Sequence, residues 1–406
     1  MICVRSRGCR RAIIWLGLCC AILGSANTAR GDVISVTNLV SDDQAVNSAQ
    51  ITDPFLKNAW GISHSTGSPF WVSDNATGVA TLYSVNPTTN VTTKVIVGSP
   101  PDPSGGVVIP PVGSGTPTGQ VFNTANATAF NSDLFLFVSE DGTISGWRGA
   151  LGTTAEVLQL AQNTNVYKGT TLVSTGGHSY LLSANFRAGT IDVLKGEAGA
   201  PDLAGKFLDP NLPSGYAPFN IQVLGGRIYV TYALQDSAKH DDDPGAGHGF
   251  VTAFDTQGNF LGRIASMGTL NSPWGLAIAP TSFTSFASDL LVGNFGDGTI
   301  SVFSANPATP GFLGQLPGTD GKPIVIDGLW GLILGNDGNG GSSQQIYFSA
   351  GPNGETNGLF GVLQSVQSVP EPSSMALELA AVVMLVGRWA WKNRRRPVTL
   401  VTFSSG

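Results

Sequence analysis

The chain has 406 residues and a formal net charge of −6, but its charged residues are unevenly distributed. Five of its 21 basic residues lie in 1–31 and five in 370–406, whereas 25 of its 27 acidic residues lie in 32–369, which gives that region a net charge of −14. Such an acidic body excludes nucleic-acid binding, which needs a basic surface.

Residues 1–31 have the features of a secretory signal peptide. Four arginines make the start positive, and they are Arg5, Arg7, Arg10 and Arg11. An apolar stretch, Ala12 to Leu23, follows and is too short to span a membrane. All four cysteines lie in this segment, at Cys3, Cys9, Cys19 and Cys20. The mature chain therefore has no disulfide, no thiol nucleophile and no thiolate metal site.

A glycine followed by alternating apolar residues recurs six times in the body. The repeated phrase begins at Gly78, Gly142, Gly189, Gly249, Gly298 and Gly358, at intervals of 64, 47, 60, 49 and 60 residues. A β-rich run and a few turn residues precede each phrase, which is typical of a hairpin. Three strand candidates further upstream open with the same pair, Trp60-Gly61, Trp274-Gly275 and Trp330-Gly331.

Six units of about four short strands predict an all-β, six-bladed β-propeller over residues 32–366. The sixth unit ends near Leu363 with no sequence left for an outer strand. We expect Val33 to Val36 to supply that strand and to close the ring. A β-sandwich and a right-handed β-helix are the alternatives, although a β-helix has a shorter period.

The Trp-Gly openings resemble those of NHL-type and SMP-30-like six-bladed propellers. The resemblance implies that the innermost strand of each blade lines a central channel, where small residues let the blades approach closely. We expect Trp60, Trp274 and Trp330 to pack between blades, with ligand stacking as the alternative.

One acidic segment interrupts the fourth unit. It concentrates three carboxylates and two imidazoles in nine residues, His240, Asp241, Asp242, Asp243 and His248. Carboxylates with backbone carbonyls suit Ca²⁺, and carboxylates with imidazoles suit Zn²⁺ or Mn²⁺. The spacing matches neither an EF-hand nor a zincin helix. The segment is therefore a candidate metal site, and a solvated acidic turn and a direct catalytic role are the alternatives.

A second candidate site follows from the repeat. Asn75, Glu140, Asn185 and Asn294 occupy equivalent positions just after a strand. Equivalent positions of a propeller converge around its axis, and such a ring resembles the channel-bound Ca²⁺ site of SMP-30-like lactonases. Asparagine is also a common turn residue, which is the alternative explanation.

The C-terminal region has the pattern of a sorting and anchoring device. A linker, 367–374, carries the motif Val369, Pro370, Glu371 and Pro372. An apolar segment, 375–396, follows and ends in a basic stop, Lys392, Arg394, Arg395 and Arg396, before a tail, 397–406. Glu378 and Arg388 interrupt the apolar run, which is near the lower length limit for a membrane span.

This arrangement resembles the PEP-CTERM sorting signal of Gram-negative bacteria. The resemblance implies processing by a membrane-embedded exosortase, transport to the outer surface or extracellular matrix, and membrane attachment that is transient or permanent. A plain tail anchor and a soluble helix are the alternatives. Together with the repeat, the signal resembles an uncharacterised family of exported bacterial propeller proteins.

Two functions fit the sequence. The first is an exported binding protein whose partner is an exopolysaccharide or another surface protein. The second is a divalent-metal-dependent hydrolase or lactonase with its site in the channel, Ca²⁺ being the candidate cofactor. No Gly-x-Ser-x-Gly elbow or P-loop is present in the sequence, which favours the binding protein.

Overall fold

Short β-strands follow one another along the propeller region of the computed structural model, which describes residues 33–125, 127–366 and 374–393. The chain begins with β1 (Val33–Ser41) and β2 (Ile51–Thr52). Blade one contains β3 (Ala59–Ser63), β4 (Phe70–Asp74), β5 (Val79–Val85), β6 (Thr92–Val95) and β7 (Val107–Val108). Blade two contains β8 (Pro117–Phe122), β9 (Phe135–Ser139), β10 (Ile144–Trp147) and β11 (Glu156–Gln159). Blade three contains β12 (Tyr167–Thr175), β13 (His178–Asn185) and β14 (Thr190–Lys195).

The second half of the ring repeats the arrangement. Blade four contains β15 (Tyr216–Leu224), β16 (Arg227–Leu234), β17 (Phe250–Phe254) and β18 (Phe260–Ser266). Blade five contains β19 (Pro273–Ile278), β20 (Leu290–Asn294), β21 (Ile300–Phe303) and β22 (Phe312–Gln315). Blade six contains β23 (Leu329–Leu334), β24 (Ile346–Ala350) and β25 (Leu359–Val366). Within the described residues, the helices are two 3₁₀ turns, Phe130–Ser132 and Gly149–Leu151, and one α-helix, α1 (Ser374–Asn393).

The predicted six-bladed propeller is confirmed. Each β-rich run forms the second strand of a blade, and each repeated phrase forms the third. The Trp-Gly pairs lie on the first strands β3, β19 and β23, which are the inner strands. The glycine that opens the phrase has a left-handed φ of 69–86° at four of its six positions, Gly78, Gly142, Gly189 and Gly298. Glycine adopts that conformation without steric cost, so the hairpin turn fixes its place in the repeat.

The two ends of the propeller region close the ring, as the sequence predicted. β1 pairs antiparallel with β25, from Val33 opposite Val366 to Ser41 opposite Leu359. β2 then adds to β1 in parallel. Blade six therefore contains strands from both ends of the region, so the ring cannot open without breaking a β-ladder.

The hydrophobic core is divided among the seams between blades. In the described part of the chain, six clusters of buried side chains each join two neighbouring blades, and a seventh lies at the axis. At the seam of blades one and two, for example, Trp71 stacks on Phe135 with ring centroids 4.2 Å apart. Blade-to-blade packing of this kind buries the second strand of each blade on both faces.

The inner strands approach one another so closely that glycine is required. A Cβ on Gly61 would lie 2.4 Å from the carbonyl oxygen of Thr118 on the next inner strand. A Cβ on Gly119 would likewise lie 2.6 Å from the backbone nitrogen of Thr170. We call the face at which the six inner strands begin the upper face, and the opposite one the lower face.

Blade one contains a buried polar network around a carboxyl group with an unusual environment. Tyr83 donates a hydrogen bond to Asp53 (2.7 Å), which also pairs with Lys94 (2.7 Å). Asp74 accepts one hydrogen bond from the Thr81 backbone N–H (3.1 Å), and within the described residues its Oδ1 has no partner. Burial raises the pKa of Asp74 well above its usual value.

Asp74→Asn is expected to stabilise the protein at pH 8 and to have little effect at or below pH 4. The folded state holds the Asp74 proton more tightly than the unfolded state, so stability falls as pH rises from about 4 towards the raised pKa. Asparagine does not titrate, so it removes this loss of stability with rising pH. Its amide oxygen can still accept the hydrogen bond from the Thr81 backbone N–H. Urea unfolding at pH 4, 6 and 8 measures the difference. Asp202→Asn is the control, because Asp202 is exposed and pairs with Lys195. An Asp74→Asn effect independent of pH would contradict the explanation.

Helix α1 is described by itself. It covers most of the predicted segment 375–396, and its side chains from Val382 to Trp389 are exposed. No helix in the described residues combines the length and apolarity needed to cross a membrane. The predicted transmembrane span is therefore not confirmed. The predicted signal peptide, the motif Val369 to Pro372, Arg394 to Arg396 and the tail lie outside the described residues.

Candidate functional site

An aromatic layer closes the channel in the middle of the ring. Trp60 stacks on Trp330 with ring centroids 3.6 Å apart, and Trp330 stacks on Phe295 at 3.9 Å. Trp274 meets Trp60 and Trp330 edge-on, at 6.2 and 5.9 Å. Phe219 also packs against Trp330. The three tryptophans therefore pack between blades, across the axis, as the sequence led us to expect.

A buried lysine lies on the upper side of this layer. The ammonium group of Lys168 is 5.0 Å from the centre of the Trp60 ring, and its side chain is 1% exposed. It forms ion pairs with Glu140 of blade two (2.5 Å) and with Asp241 of blade four (3.1 Å). Lys168 follows the first residue of β12, where the register shifts between Tyr167 and Thr170, and this bulge re-aims the local side chains.

Hydrogen bonds extend this group of side chains around the channel. Asn75 donates to Glu140 (2.9 Å), and Asn58 donates to Asn75 (3.2 Å) and to Glu355 (2.7 Å). The indole N–H of Trp330 donates to Asn58 (3.1 Å), which connects the polar groups to the aromatic layer. We call the whole set the upper-face cluster, and it comprises Asn58, Asn75, Glu140, Lys168, His240, Asp241 and Glu355.

Neighbouring charges shift the pKa values of side chains in the upper-face cluster. Burial by itself lowers the pKa of an ammonium, but the charges of Glu140 and Asp241 outweigh this effect and raise the pKa of Lys168. Lys168 is therefore a fixed positive charge at neutral pH and not a nucleophile or general base. Burial raises the pKa of Asp241, but the charge and hydrogen bond of Lys168 together with those of His240 outweigh burial, and the net direction is downward. Burial raises the pKa of Glu355.

Glu355 is held in a sparsely populated backbone conformation. Its φ of 66° is uncommon for a residue with a long side chain. It lies in the turn between β24 and β25, and its backbone N–H donates to Gly351 (3.1 Å). Such local strain often accompanies functional sites, and here it places a carboxylate from blade six beside Asn58.

The predicted ring is brought together only in part. Asn75 and Glu140 are members of the upper-face cluster. Asn185 instead donates to Asn165 (3.0 Å) and Asp192 (2.8 Å) within blade three. Asn294 donates to the backbone of Thr269 and to the Thr299 side chain, both at 3.0 Å, within blade five. These two asparagines stabilise the turns at which they lie, as in the alternative explanation.

The predicted metal-binding segment is also divided. The Nδ1 atom of His240 lies 3.0 Å from a carboxylate oxygen of Asp241, and the same carboxylate accepts a hydrogen bond from Lys168. One candidate ligand atom each of Glu140, His240 and Asp241 lies within 4.8 Å of the others. His248 instead bonds the backbone oxygen of Asp243 (2.8 Å). The burial of Asp242 raises its pKa. Within the described residues, the group formed by Glu140, His240 and Asp241 therefore contains two of the five predicted metal ligands, His240 and Asp241.

The donors present do not fit the channel Ca²⁺ site that the SMP-30-like resemblance implies. Ca²⁺ takes six to eight oxygen ligands at 2.3–2.6 Å. Glu140 and Asp241 share the Lys168 ammonium, and Asn75 uses its amide N–H on Glu140. Asn185 and Asn294 are bonded within their own blades. A lysine ammonium thus occupies the place between carboxylates that a metal ion would take.

Sequence reasoning missed Lys168, Asn58 and Glu355. A signal for Lys168 was present, because Lys168-Gly169 stands on the inner strand at the position of Trp60-Gly61, Trp274-Gly275 and Trp330-Gly331. A charged residue at a position that holds tryptophan in three of the other five blades marks an exception in the repeat. Asn58 and Glu355 carry no comparable signal, since they lie in loops of different blades.

The fold and this site define a six-bladed β-propeller with a polar upper face and a closed central channel. No family profile matches the chain. It is 32% identical over 327 residues to "Uncharacterized protein R648" of Acanthamoeba polyphaga mimivirus, covering 78% of this chain and 76% of the relative. It is 30% identical over 328 residues to "Uncharacterized protein L690" of the same virus, covering 78% and 82%. The chain belongs to the family of these two proteins.

These viral relatives do not support the bacterial origin implied by the sorting-signal resemblance. Solved propellers are similar in fold. A glucose dehydrogenase has a TM-score of 0.50 and 11% identity, covering 82% of this chain and all of that one. A streptogramin B lyase has a TM-score of 0.43 and 13% identity, covering 83% and 98%. At 11% identity, the similarity to the glucose dehydrogenase shows the fold alone.

Proposed function

We propose that this chain is a binding protein whose upper-face cluster recognises a hydroxyl-rich partner, specifically a polysaccharide. The observation that carries the proposal is the position of Lys168 between Glu140 and Asp241. An internal ammonium supplies the positive charge there, so the carboxylates are held in place without an added cation. The site is thereby suited to binding and lacks a free amine for chemistry.

The chemistry of the remaining groups favours hydroxyl ligands. Carboxylates accept hydrogen bonds from hydroxyl groups, and imidazole and amide groups donate to them. Asp241 and His240 present 64% and 38% of their side chains to solvent, so a ligand can reach them. Three carboxylates against one ammonium leave an excess of negative charge, which disfavours acidic polysaccharides.

The location of this activity is part of the proposal. The signal-like segment 1–31 and the motif Val369 to Pro372 support export and exosortase-type processing. Both favour a polysaccharide of the cell surface or of its surrounding matrix as the partner. An accompanying surface protein is the alternative partner.

Asp241→Asn is expected to weaken polysaccharide binding by about tenfold to a hundredfold, because a hydrogen bond to a charged group contributes about 1.5–3 kcal/mol. Affinity electrophoresis against dextran, chitosan oligomers and alginate measures the binding of the wild-type and variant proteins. Wild type should bind dextran, bind chitosan more tightly, and leave alginate unbound.

Asp202→Asn is the matched control, since Asp202 also pairs with a lysine but lies on the outer side of blade three. Equal binding by wild type and Asp241→Asn would contradict the proposal. Failure to bind any of the three polysaccharides would redirect the search to protein partners.

A metal-dependent hydrolase or lactonase is the second candidate function. The observation that favours it is the proximity of Glu140, His240 and Asp241. A divalent ion among them would lie beside the Lys168 ammonium and would be repelled by it. Lactone turnover that needs added metal and is lost in Asp241→Asn would support this alternative.

A further inference from the structure

A cavity of about 260 Å³ opens on the lower face, on the other side of the aromatic layer from the upper-face cluster. Five of the inner strands line its wall, and Trp274 of the sixth, β19, also borders it. The space is equivalent to roughly nine water molecules at about 30 Å³ each. It is a blind pocket, because the stacked rings of Trp60 and Trp330 fill the channel beyond it.

We propose that this cavity binds a small uncharged polyol, of the size of glycerol to a monosaccharide. No Asp, Glu, Lys or Arg is among the residues that line it in the described part of the chain. A charged ligand would therefore lose its hydration without gaining a counter-charge, which is costly. Hydroxyl groups need no counter-charge and can both donate and accept hydrogen bonds.

Two buried amides are fixed at the inner end of the cavity. Gln120 donates to the Gly61 carbonyl (2.8 Å) and accepts from the Ser63 hydroxyl (3.1 Å). Asn220 donates to the Trp274 carbonyl (2.7 Å) and accepts from the Ile221 N–H (2.8 Å). Each primary amide carries two N–H donors, and these contacts use one on each. The fold sets the direction of the remaining N–H of each amide. This favours a ligand whose oxygen acceptors match those two directions.

The wall is apolar where the strands run towards the lower face. Half-buried aliphatic and aromatic side chains from five blades line it, namely Ile62, Val121, Phe122, Leu172, Val223 and Ile333. Water wets such a wall poorly. A polyol presents C–H groups as well as hydroxyls, so it covers the apolar wall while its oxygens meet Gln120 and Asn220.

The imidazole of His64 contributes little to ligand recognition. Its Nδ1 lies 2.9 Å from the Ser65 carbonyl oxygen and its Nε2 lies 2.8 Å from the Leu334 carbonyl oxygen. Both ring nitrogens are thus directed at the protein, and the ring links blade one to blade six at the cavity mouth. Recognition therefore depends on amides and hydroxyls.

The proposal is tested with the full chain, using glycerol, xylitol and glucose as probes and acetate and methylammonium as charged controls. Saturation-transfer NMR and calorimetric titration detect binding. Gln222, half-buried at the cavity wall, is the position to block. Gln222→Trp is expected to weaken polyol binding about tenfold or more by filling the space, and Gln222→Ala to preserve it.

Leu172→Trp is a second blocking variant on the neighbouring blade, in case Gln222→Trp does not fold. Asp241→Asn separates this site from the upper-face cluster, because it should leave polyol binding unchanged. Binding of xylitol or glucose that every folded blocking variant weakens would support the proposal. No saturable polyol binding, equal binding of the charged controls, or binding lost only in Asp241→Asn would overturn it.

Discussion

Lys168→Met is expected to lower the free energy of unfolding by about 3–5 kcal/mol, the range found when one partner of a buried ion pair is removed. Glu140 is 13% exposed and would lose its main partner. Methionine has nearly the length of lysine and still covers Trp60, so the variant tests the charge and not the packing. Chemical unfolding at pH 7 measures the loss.

The double variant Lys168→Met with Glu140→Gln is the matched control. Removing both charges leaves Asn75 with an amide oxygen to donate to and leaves no buried unpaired carboxylate at position 140. Replacement of a complete buried pair is often close to neutral, so the double variant should recover most of the loss. A Lys168→Met protein as stable as wild type would show that the ammonium is not the group that neutralises this cluster.

Trp330→Ala is the second substitution with a large expected effect, a loss of about 3–5 kcal/mol. Trp330 is 1% exposed and lies between the rings of Trp60 and Phe295, so alanine would leave a cavity at the axis. It would also leave Asn58 without the indole donor. Thermal and urea unfolding should both report the change.

Two further variants separate the causes of that loss. Trp389→Ala removes an exposed tryptophan in α1 and should change the stability of the propeller little. Trp330→Phe keeps an aromatic ring and should lose less than alanine, while still removing the hydrogen bond to Asn58. If Trp330→Ala cost no more than Trp389→Ala, the aromatic layer would not be a source of stability.

The fold could be predicted from the sequence because its information is local and repeated. Each hairpin joins two strands that are neighbours in the sequence through a turn that carries the glycine, so six copies of one pattern define six blades. The closing strand was also predictable, since blade six needed a partner for β25 and Val33 to Val36 was the unused strand candidate.

The site was predictable where the repeat positions the side chain and where the acidic segment concentrates charged residues, as it does at His240 and Asp241. Asn75 and Glu140 were found because they follow equivalent strands. Lys168 was missed because its partners are 28 and 73 residues away, on other blades. Asn185 and Asn294 share the repeat position, but nearby acceptors such as Asp192 hold their side chains within their own blades. Equivalent backbone positions do not ensure equivalent side-chain directions.

In the upper-face cluster, a lysine of the chain itself supplies the positive charge beside the carboxylates. A buried lysine needs compensating carboxylates, and here they come from two other blades. This arrangement links blades two, three and four above the aromatic layer. Of these groups, Asp241 and its neighbour His240 are exposed to solvent, whereas Glu140 is 13% exposed.

The most direct test of Lys168 as the resident cation is a calorimetric titration of wild type and Lys168→Met with CaCl₂ and MnCl₂ at pH 7.5. Wild type should show no stoichiometric binding, because the ammonium repels a divalent ion from Glu140 and Asp241. Lys168→Met should gain binding, since its carboxylates then lack a positive partner. One equivalent bound by wild type and lost in Asp241→Asn would contradict this account and favour the metal-dependent hydrolase.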